Sequence, residues 1–239
     1  MYKFWYITTA SLLLGSSLLF PKIMTVADNN TPNPQIVTSP EAKNFDLLVP
    51  FNATTAPNIT KIIKVRFTTT EGDLEINVYP EAAPNASKRF IDLINIGFYN
   101  YTPIFRVVRT PRPFVAQFGI NWREGMNELR TRNFNDDPSL FRLNRGTLAF
   151  AKAGPNINST QVFINYDNND FLRDQNFTAF AVVTKGMDIA DKFKSVGDPG
   201  SGLNQNMLWM NGEAYLRSLS APNKPTMIES AQVIEGDEK

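Results

Sequence analysis

Residues 145–164, RGTLAFAKAGPNINSTQVFI, constrain the fold of this chain more than any other stretch. The alternating run Thr147-Leu148-Ala149-Phe150-Ala151 reads as a strand. It runs into Ala153-Gly154-Pro155-Asn156, where Gly supplies unusual backbone angles and Pro fixes its own φ, so the chain turns. Gln161-Val162-Phe163-Ile164 then reads as a second strand. Two readings are open at this point. One is a β-hairpin with a polar loop. The other is a loop that carries a binding surface, flanked by small residues that let a peptide backbone come close.

The same pattern recurs from residue 61 onward. Val65 and Phe67, then Leu74, Ile76 and Val78, alternate with polar residues around Glu71-Gly72-Asp73, which predicts a hairpin with one buried face. Pro84 suits the first position of a helix, Phe90, Leu93 and Ile94 recur at helical spacing, and Gly97 stops it. Strand character returns over 98–108, with Arg106 among apolar neighbours; taken alone, such an Arg is an ordinary surface charge. A loop stiffened by Pro111 and Pro113 leads into a strand over 114–119. Residues 121–139 read as a polar excursion and 197–202 as a flexible loop. Further strands are predicted over 177–183 and 227–234, and short helices over 188–193 and 213–219. Many short strands, few helices and Gly/Pro turns predict a mainly β protein, a barrel or sandwich.

Ahead of this domain the character changes. Residues 1–27 combine a weakly positive start, an apolar run over 4–20 and Thr25-Val26-Ala27, a small-x-small cleavage pattern. The apolar run is near the lower limit of roughly 17–25 residues for a spanning helix, so a signal peptide is favoured over an uncleaved membrane anchor. Either one takes the protein out of the cytosol, with the periplasm or cell envelope as the expected destination. Residues 28–60, rich in Asn, Thr and Pro, read as a linker or as an arm docked by Phe45, Leu47, Leu48 and Val49. The folded domain is expected over 61–235, followed by a charged tail, 236–239.

Composition narrows the chemistry. With 239 residues, 42% of them hydrophobic, the chain supports one well-packed domain plus tails. The formal net charge of +1 carries no electrostatic footprint of a nucleic-acid binder. His and Cys are both absent. That removes disulfides, zinc sites of the usual kind, and any Ser-His-Asp or Cys-His nucleophile. No metal and no cofactor is expected. Catalysis is left to Arg, Lys, carboxylates, Tyr, amides or shape.

Several segments together resemble one family. Phe98-Tyr99, Phe105-Arg106-Val107-Val108, Phe114-Val115-x-Gln117-x-Gly119, Gly146-Thr147, Ala151-x-Ala153-Gly154-Pro155-Asn156, Ser159-x-Gln161-x-Phe163-Ile164, Phe171-Leu172 and Phe180 stand in the order and context of the cyclophilins, which are peptidyl-prolyl cis-trans isomerases. Gly186-Met187-Asp188 and Asn211-Gly212-Glu213-Ala214-Tyr215-Leu216 are similar to a bacterial branch. The resemblance implies a closed eight-stranded antiparallel β-barrel capped by two helices, with the active face on its outside. It implies Arg106 as the catalytic arginine, with Gln117 beside it. Phe114, Val115, Phe163 and Leu172 would form the pocket for the proline ring, and Gln161 a further polar position in it. Ala151, Lys152 and Ala153 would run beside the substrate backbone, with Phe171 and Phe177 on the far rim. Phe105 stands where the family usually has His, which is expected to alter the rim. Lys152 stands where Asn is common, Phe171 where an indole is usual, and the loop over 109–113 is lengthened.

The implied reaction suits such a chain. Rotation about an amide bond faces a barrier of ~18–20 kcal/mol, and X-Pro isomers exchange over roughly tens to hundreds of seconds. Catalysis needs neither a nucleophile nor a proton transfer, only tighter binding of the twisted amide than of either planar form. A guanidinium aimed at the pyramidal proline nitrogen gives a hydrogen bond that is weak or absent in the ground state. Three functions remain open: an exported isomerase that assists folding, a module that holds Pro-containing segments without useful turnover, and a general chaperone using exposed aromatics. The expected partners are Pro-containing polypeptides, with no nucleic acid, and a membrane only if residues 1–27 are retained; a monomer is expected.

Overall fold

The structure is a computed structural model that describes residues 48–234. The expected signal peptide or anchor, most of the Asn/Thr/Pro-rich segment and the charged tail lie outside the described residues.

Nine strands form one curled antiparallel sheet: β1 Ile63–Thr69, β2 Gly72–Val78, β3 Thr102–Pro103, β4 Arg106–Val107, β5 Val115–Phe118, β6 Thr147–Phe150, β7 Val162–Asn165, β8 Ala181–Lys185 and β9 Met227–Val233. Their order is β3-β9-β1-β2-β8-β6-β7-β5-β4. The helices are α1 Pro84–Asn95, α2 Met187–Ala190 and α3 Gln205–Ser218. In β1, buried and half-exposed positions alternate along the whole strand, and Val65 and Phe67 face Ile76 and Leu74 of β2. These cross-strand apolar pairs fix the hairpin register, since a slip of one residue would turn every side chain to the wrong face. Phe67, Phe90, Tyr99 and Phe118 form one ring cluster that joins β1, α1 and β5.

α1 begins at Pro84 with no cap from its own N-cap side chain. Asp137, from the polar excursion, takes that role: the Asn85 and Ala86 N–H groups donate to its two carboxylate oxygens at 3.1 and 2.9 Å. Burial pushes the Asp137 carboxyl above its usual range, against the opposing pull of those two hydrogen bonds. The helix is stopped at Gly97, whose φ of 69° turns the chain back so that Phe98 N–H reaches Leu93 O at 2.8 Å.

The architecture departs from the expected one in strand count and helices. There are nine strands, and the pairing order has two ends, β3 and β4. Those ends are neighbours in sequence. Ile104 N–H donates to Thr226 O beside β9, whereas Phe105 N–H donates to Gln117 O of β5, so the chain changes partners between the two residues. The third helix, α3, starts well ahead of the segment predicted over 213–219. Asn204 caps it, its Oδ1 accepting from Met207 N–H at 3.0 Å, and Leu208 and Trp209 are buried. α3 kinks at Asn211, and Gly212 lies so close to the Trp122 ring that a Cβ would not fit.

Ahead of β1, Leu48 is buried in a cluster with Ile62, Tyr79 and Phe141. Arg142 N–H donates to Val49 O, and Phe51 N–H to Leu140 O. Among the described residues no helix is long and apolar enough to cross a membrane.

Candidate active site

Strand register assembles the site. Arg106 of β4 lies opposite Gln117 of β5, Gln117 opposite Phe163 of β7, and Phe163 opposite Ala149 of β6. Directly opposed residues share a face, as do residues two apart on one strand. Arg106, Val115, Gln117, Gln161, Phe163 and Ala151 therefore share one face. Val107, Ala116, Leu148 and Ile164 point the other way, into the main core.

The polar half of the face is a chain of hydrogen bonds. Arg106 Nε donates to Gly200 O at 2.6 Å and Nη1 donates to Gln117 Oε1 at 3.0 Å. Gln117 Nε2 donates to Gln161 Oε1 at 2.7 Å, and Gln161 Nε2 to Gln205 Oε1 at 3.2 Å. The Arg106 guanidinium lies 5.7 Å from the centre of the Phe114 ring. Burial lowers the Arg106 pKa, yet the ordinary arginine value lies so far above neutrality that the group stays a cation.

The apolar half is a floor of Val115, Phe163 and Leu172, all buried, with Phe114, Ala151 and Phe177 packed at its edge. Phe163 and Phe177 meet edge to face at 5.8 Å. Phe114 and Phe171 stack at 6.2 Å, and the Arg112 guanidinium covers Phe171 at 5.4 Å. The lengthened loop leaves the β4–β5 hairpin after Val108, whose N–H donates to Val115 O. It is tied down by Arg109, which donates to Asp191 O at 2.7 Å.

Two residues that depart from the family pattern have partners the sequence does not show. Phe105 is fully buried with Ile120, Val196, Leu203, Leu208 and Trp209 beneath α3, so it is a core residue and not part of the rim. An apolar ring gains more from that burial than from contact with water. Lys152 lies in the strip with Ala151 and Ala153, but its side chain turns inward and is only 3% exposed. Its Nζ pairs with Asp136 Oδ2 at 2.6 Å, donates to Asn176 O at 3.0 Å and lies over the Phe177 ring. Burial works to raise the Asp136 carboxyl, but hydrogen bonds from Lys152 and Asn158 outweigh it and hold the group below its usual range.

The pattern reading missed the segment that holds Arg106 from the far side. Residues 197–202 are tied down: Asp198 Oδ1 accepts from the N–H groups of Gly200 and Ser201 and from the Ser201 hydroxyl. Leu203 N–H donates to Phe105 O at 2.8 Å. Asp-Pro-Gly marks this as a turn in the sequence, but nothing local says what the turn touches. Gly202 has φ +75°, and a Cβ there would collide with Phe105 O and come within 2.7 Å of Arg106 Cα. Gly202→Ala is accordingly expected to cost about 1–3 kcal/mol of stability and to lower activity in parallel. Thermal melts and exchange assays check this, and a variant unchanged in both would show that the close approach is unimportant. Among the described residues no group of three or more carboxylates is placed to hold a metal.

Comparison with known proteins identifies the class. The family model for cyclophilin type peptidyl-prolyl cis-trans isomerase/CLD matches residues 64–208. The chain is 33% identical over 181 residues to peptidyl-prolyl cis-trans isomerase B of Escherichia coli (strain K12), a match covering 72% of this chain and 99% of that protein. It is 32% identical over 192 residues to peptidyl-prolyl cis-trans isomerase A of Dickeya dadantii (strain 3937), covering 77% and 88%. In fold it is similar to the crystal structure of a cyclophilin type isomerase from Cryptosporidium parvum, with a TM-score of 0.54 at 20% identity, covering 73% of this chain and 99% of that one. The chain belongs to the cyclophilin-type peptidyl-prolyl cis-trans isomerases, and its bacterial relatives place it in a bacterial-like group.

Proposed function

We propose that this isomerase works outside the cytosol on Pro-containing polypeptides, holding the twisted X-Pro amide with Arg106 above the floor of Val115, Phe163 and Leu172. The observation that carries this reading is the state of the guanidinium. Nε and Nη1 are engaged with Gly200 and Gln117, while Nη2 has no partner among the described residues and the group borders the apolar floor. A cation fixed on one side and open on the other can donate to a proline nitrogen as that atom becomes pyramidal. The floor holds the ring and excludes water, which strengthens the bond. Ala151 N–H is bonded to Gln161 O, which leaves the backbone of Lys152 and Ala153 to meet the peptide, with the Lys152 side chain tied inward out of its way.

Counting β3 and β4 as one bent strand that pairs with β9 at one end and β5 at the other closes the sheet into a ring of eight; the partner change between Ile104 and Phe105 supports this count. Export rests on the leader pattern of residues 1–27, and a mature protein beginning at Asp28 is the expected product on N-terminal sequencing. The activity is tested by NMR exchange on a short Ala-Pro-Phe peptide. Substoichiometric protein is expected to raise the exchange rate well above buffer. Binding with exchange left at the buffer rate would replace the isomerase reading with that of a holding module.

A further inference from the structure

Gln205 is the end of a hydrogen-bond chain that begins at Arg106, and it comes from an element outside the strands that build the site. The direction of that chain is set by chemistry. A guanidinium only donates, so Gln117 must offer it Oε1, at 3.0 Å. Gln117 Nε2 must then donate onward to Gln161 Oε1, at 2.7 Å, and Gln161 Nε2 to Gln205 Oε1, at 3.2 Å. Each carboxamide can satisfy both neighbours in one orientation only; the guanidinium sets that orientation at one end, and an acceptor at position 205 completes and holds it at the other. Gln205 sits on the first turn of α3, a position fixed by the Asn204 cap. The same short segment supplies Gly200 O to Arg106 Nε at 2.6 Å and presses Gly202 against the Arg106 backbone. Both sides of the guanidinium are thus referred to one stretch, 200–205.

We propose that Gln205 is a positioning residue for the isomerase reaction: as the terminal acceptor of the Gln117–Gln161 amide row, it locks the orientation in which Gln117 presents an oxygen to Arg106. This rests on the reading of Arg106 as the group that meets the twisted amide. Gln205 itself need not touch the substrate. A donor-only side chain at position 205 faces Gln161 Nε2 donor to donor. Relief requires Gln161 to turn over, then Gln117, which would bring an N–H group against the guanidinium. An acceptor-only side chain satisfies the row without any reversal.

The test uses the full chain and the Ala-Pro-Phe exchange assay. Gln205→Lys is expected to lower kcat by about three- to tenfold, the worth of one hydrogen bond, with little change in KM. Gln205→Glu, which still accepts, is expected to restore kcat to within about twofold of the parent. Gln205→Leu, neutral and unable to accept, should fall with the Lys variant, which separates loss of the acceptor from change of charge. In a Gln161→Leu background, where the row is already cut, Gln205→Lys should cause no further loss. Equal kcat for the Lys, Leu and Glu variants, or a full Gln205→Lys effect in the Gln161→Leu background, overturns the proposal. Arg106→Ala run alongside separates the two levels: if that variant is inactive while all three Gln205 variants match the parent, only the positioning role fails; if it is fully active, the reading of Arg106 fails and the positioning role with it.

Discussion

Arg106→Ala is expected to lower kcat/KM for an Ala-Pro-Phe peptide by about 10²–10³-fold, the loss seen when a single preorganised donor to a developing lone pair or oxyanion is removed. The loss should fall on kcat. The floor of Val115, Phe163 and Leu172 is untouched, so ground-state binding of the ring survives, whereas the bond made only to the twisted amide does not. Stability should change by about 1 kcal/mol or less, because Gly200 O lies on an exposed loop where water can replace the lost donor. Arg106→Lys should fare little better. A lysine keeps the charge but lacks the planar fork that reaches Gly200 O and Gln117 Oε1 at once. Exchange NMR with thermal melts decides the matter. If Arg106→Ala unfolds the domain, or leaves kcat unchanged, the proposed mechanism is wrong.

The largest stability effect is expected at Asp136 and Lys152. Their 2.6 Å pair is largely withdrawn from water, with side chains 12% and 3% exposed. Removing one member strands the other. Asp136→Asn leaves the Lys152 ammonium without a counter-charge, held only by neutral acceptors and the Phe177 ring, and is expected to cost about 3 kcal/mol. Lys152→Met should cost less, because Asp136 keeps the Asn158 amide donor at 2.7 Å. The double variant Asp136→Asn/Lys152→Met should recover much of the loss, since no unpaired charge remains buried. Denaturant unfolding gives all three values. Additive single-variant costs would show that the pair is not coupled.

The same pair has a defined pH dependence. The folded Asp136 carboxyl lies below the ordinary value of 3.8. Its contribution is therefore fully present above that value and is lost as pH falls through it toward the lower folded value. The stability gap between the parent and Asp136→Asn should narrow below about pH 4.

How much of this was legible in the chain depends on the range of each interaction. The β1–β2 hairpin, α1 from Pro84 to its Gly97 stop, and the pair of strands around residues 145–164 follow from local periodicity and turn chemistry. So does the sharing of one face by Val115 and Gln117, or by Gln161 and Phe163, because period two is a property of each strand alone. The direction of the Lys152 side chain was not legible for a physical reason: its sequence neighbours do not reveal Asp136 and Asn176, whose arrival makes an inward ammonium stable. Phe105 was misread for a similar reason. The family resemblance suggested a rim position, but α3 brings Leu208 and Trp209 over it.

By itself the sequence determined the period of the strands, the places where the chain must turn, and the absence of His and Cys, which left Arg, Lys, carboxylates, Tyr and amides as the polar chemistry available. Only the tertiary structure decided what Arg106 touches. Gly200 is 94 residues away along the chain, and Gln205 joins the row only because Gly202, having no Cβ, lets its backbone close on Phe105 and Arg106. Strand period is set by backbone sterics within a few residues. The partners of a guanidinium are set by which distant backbones the sheet order and a glycine allow to meet.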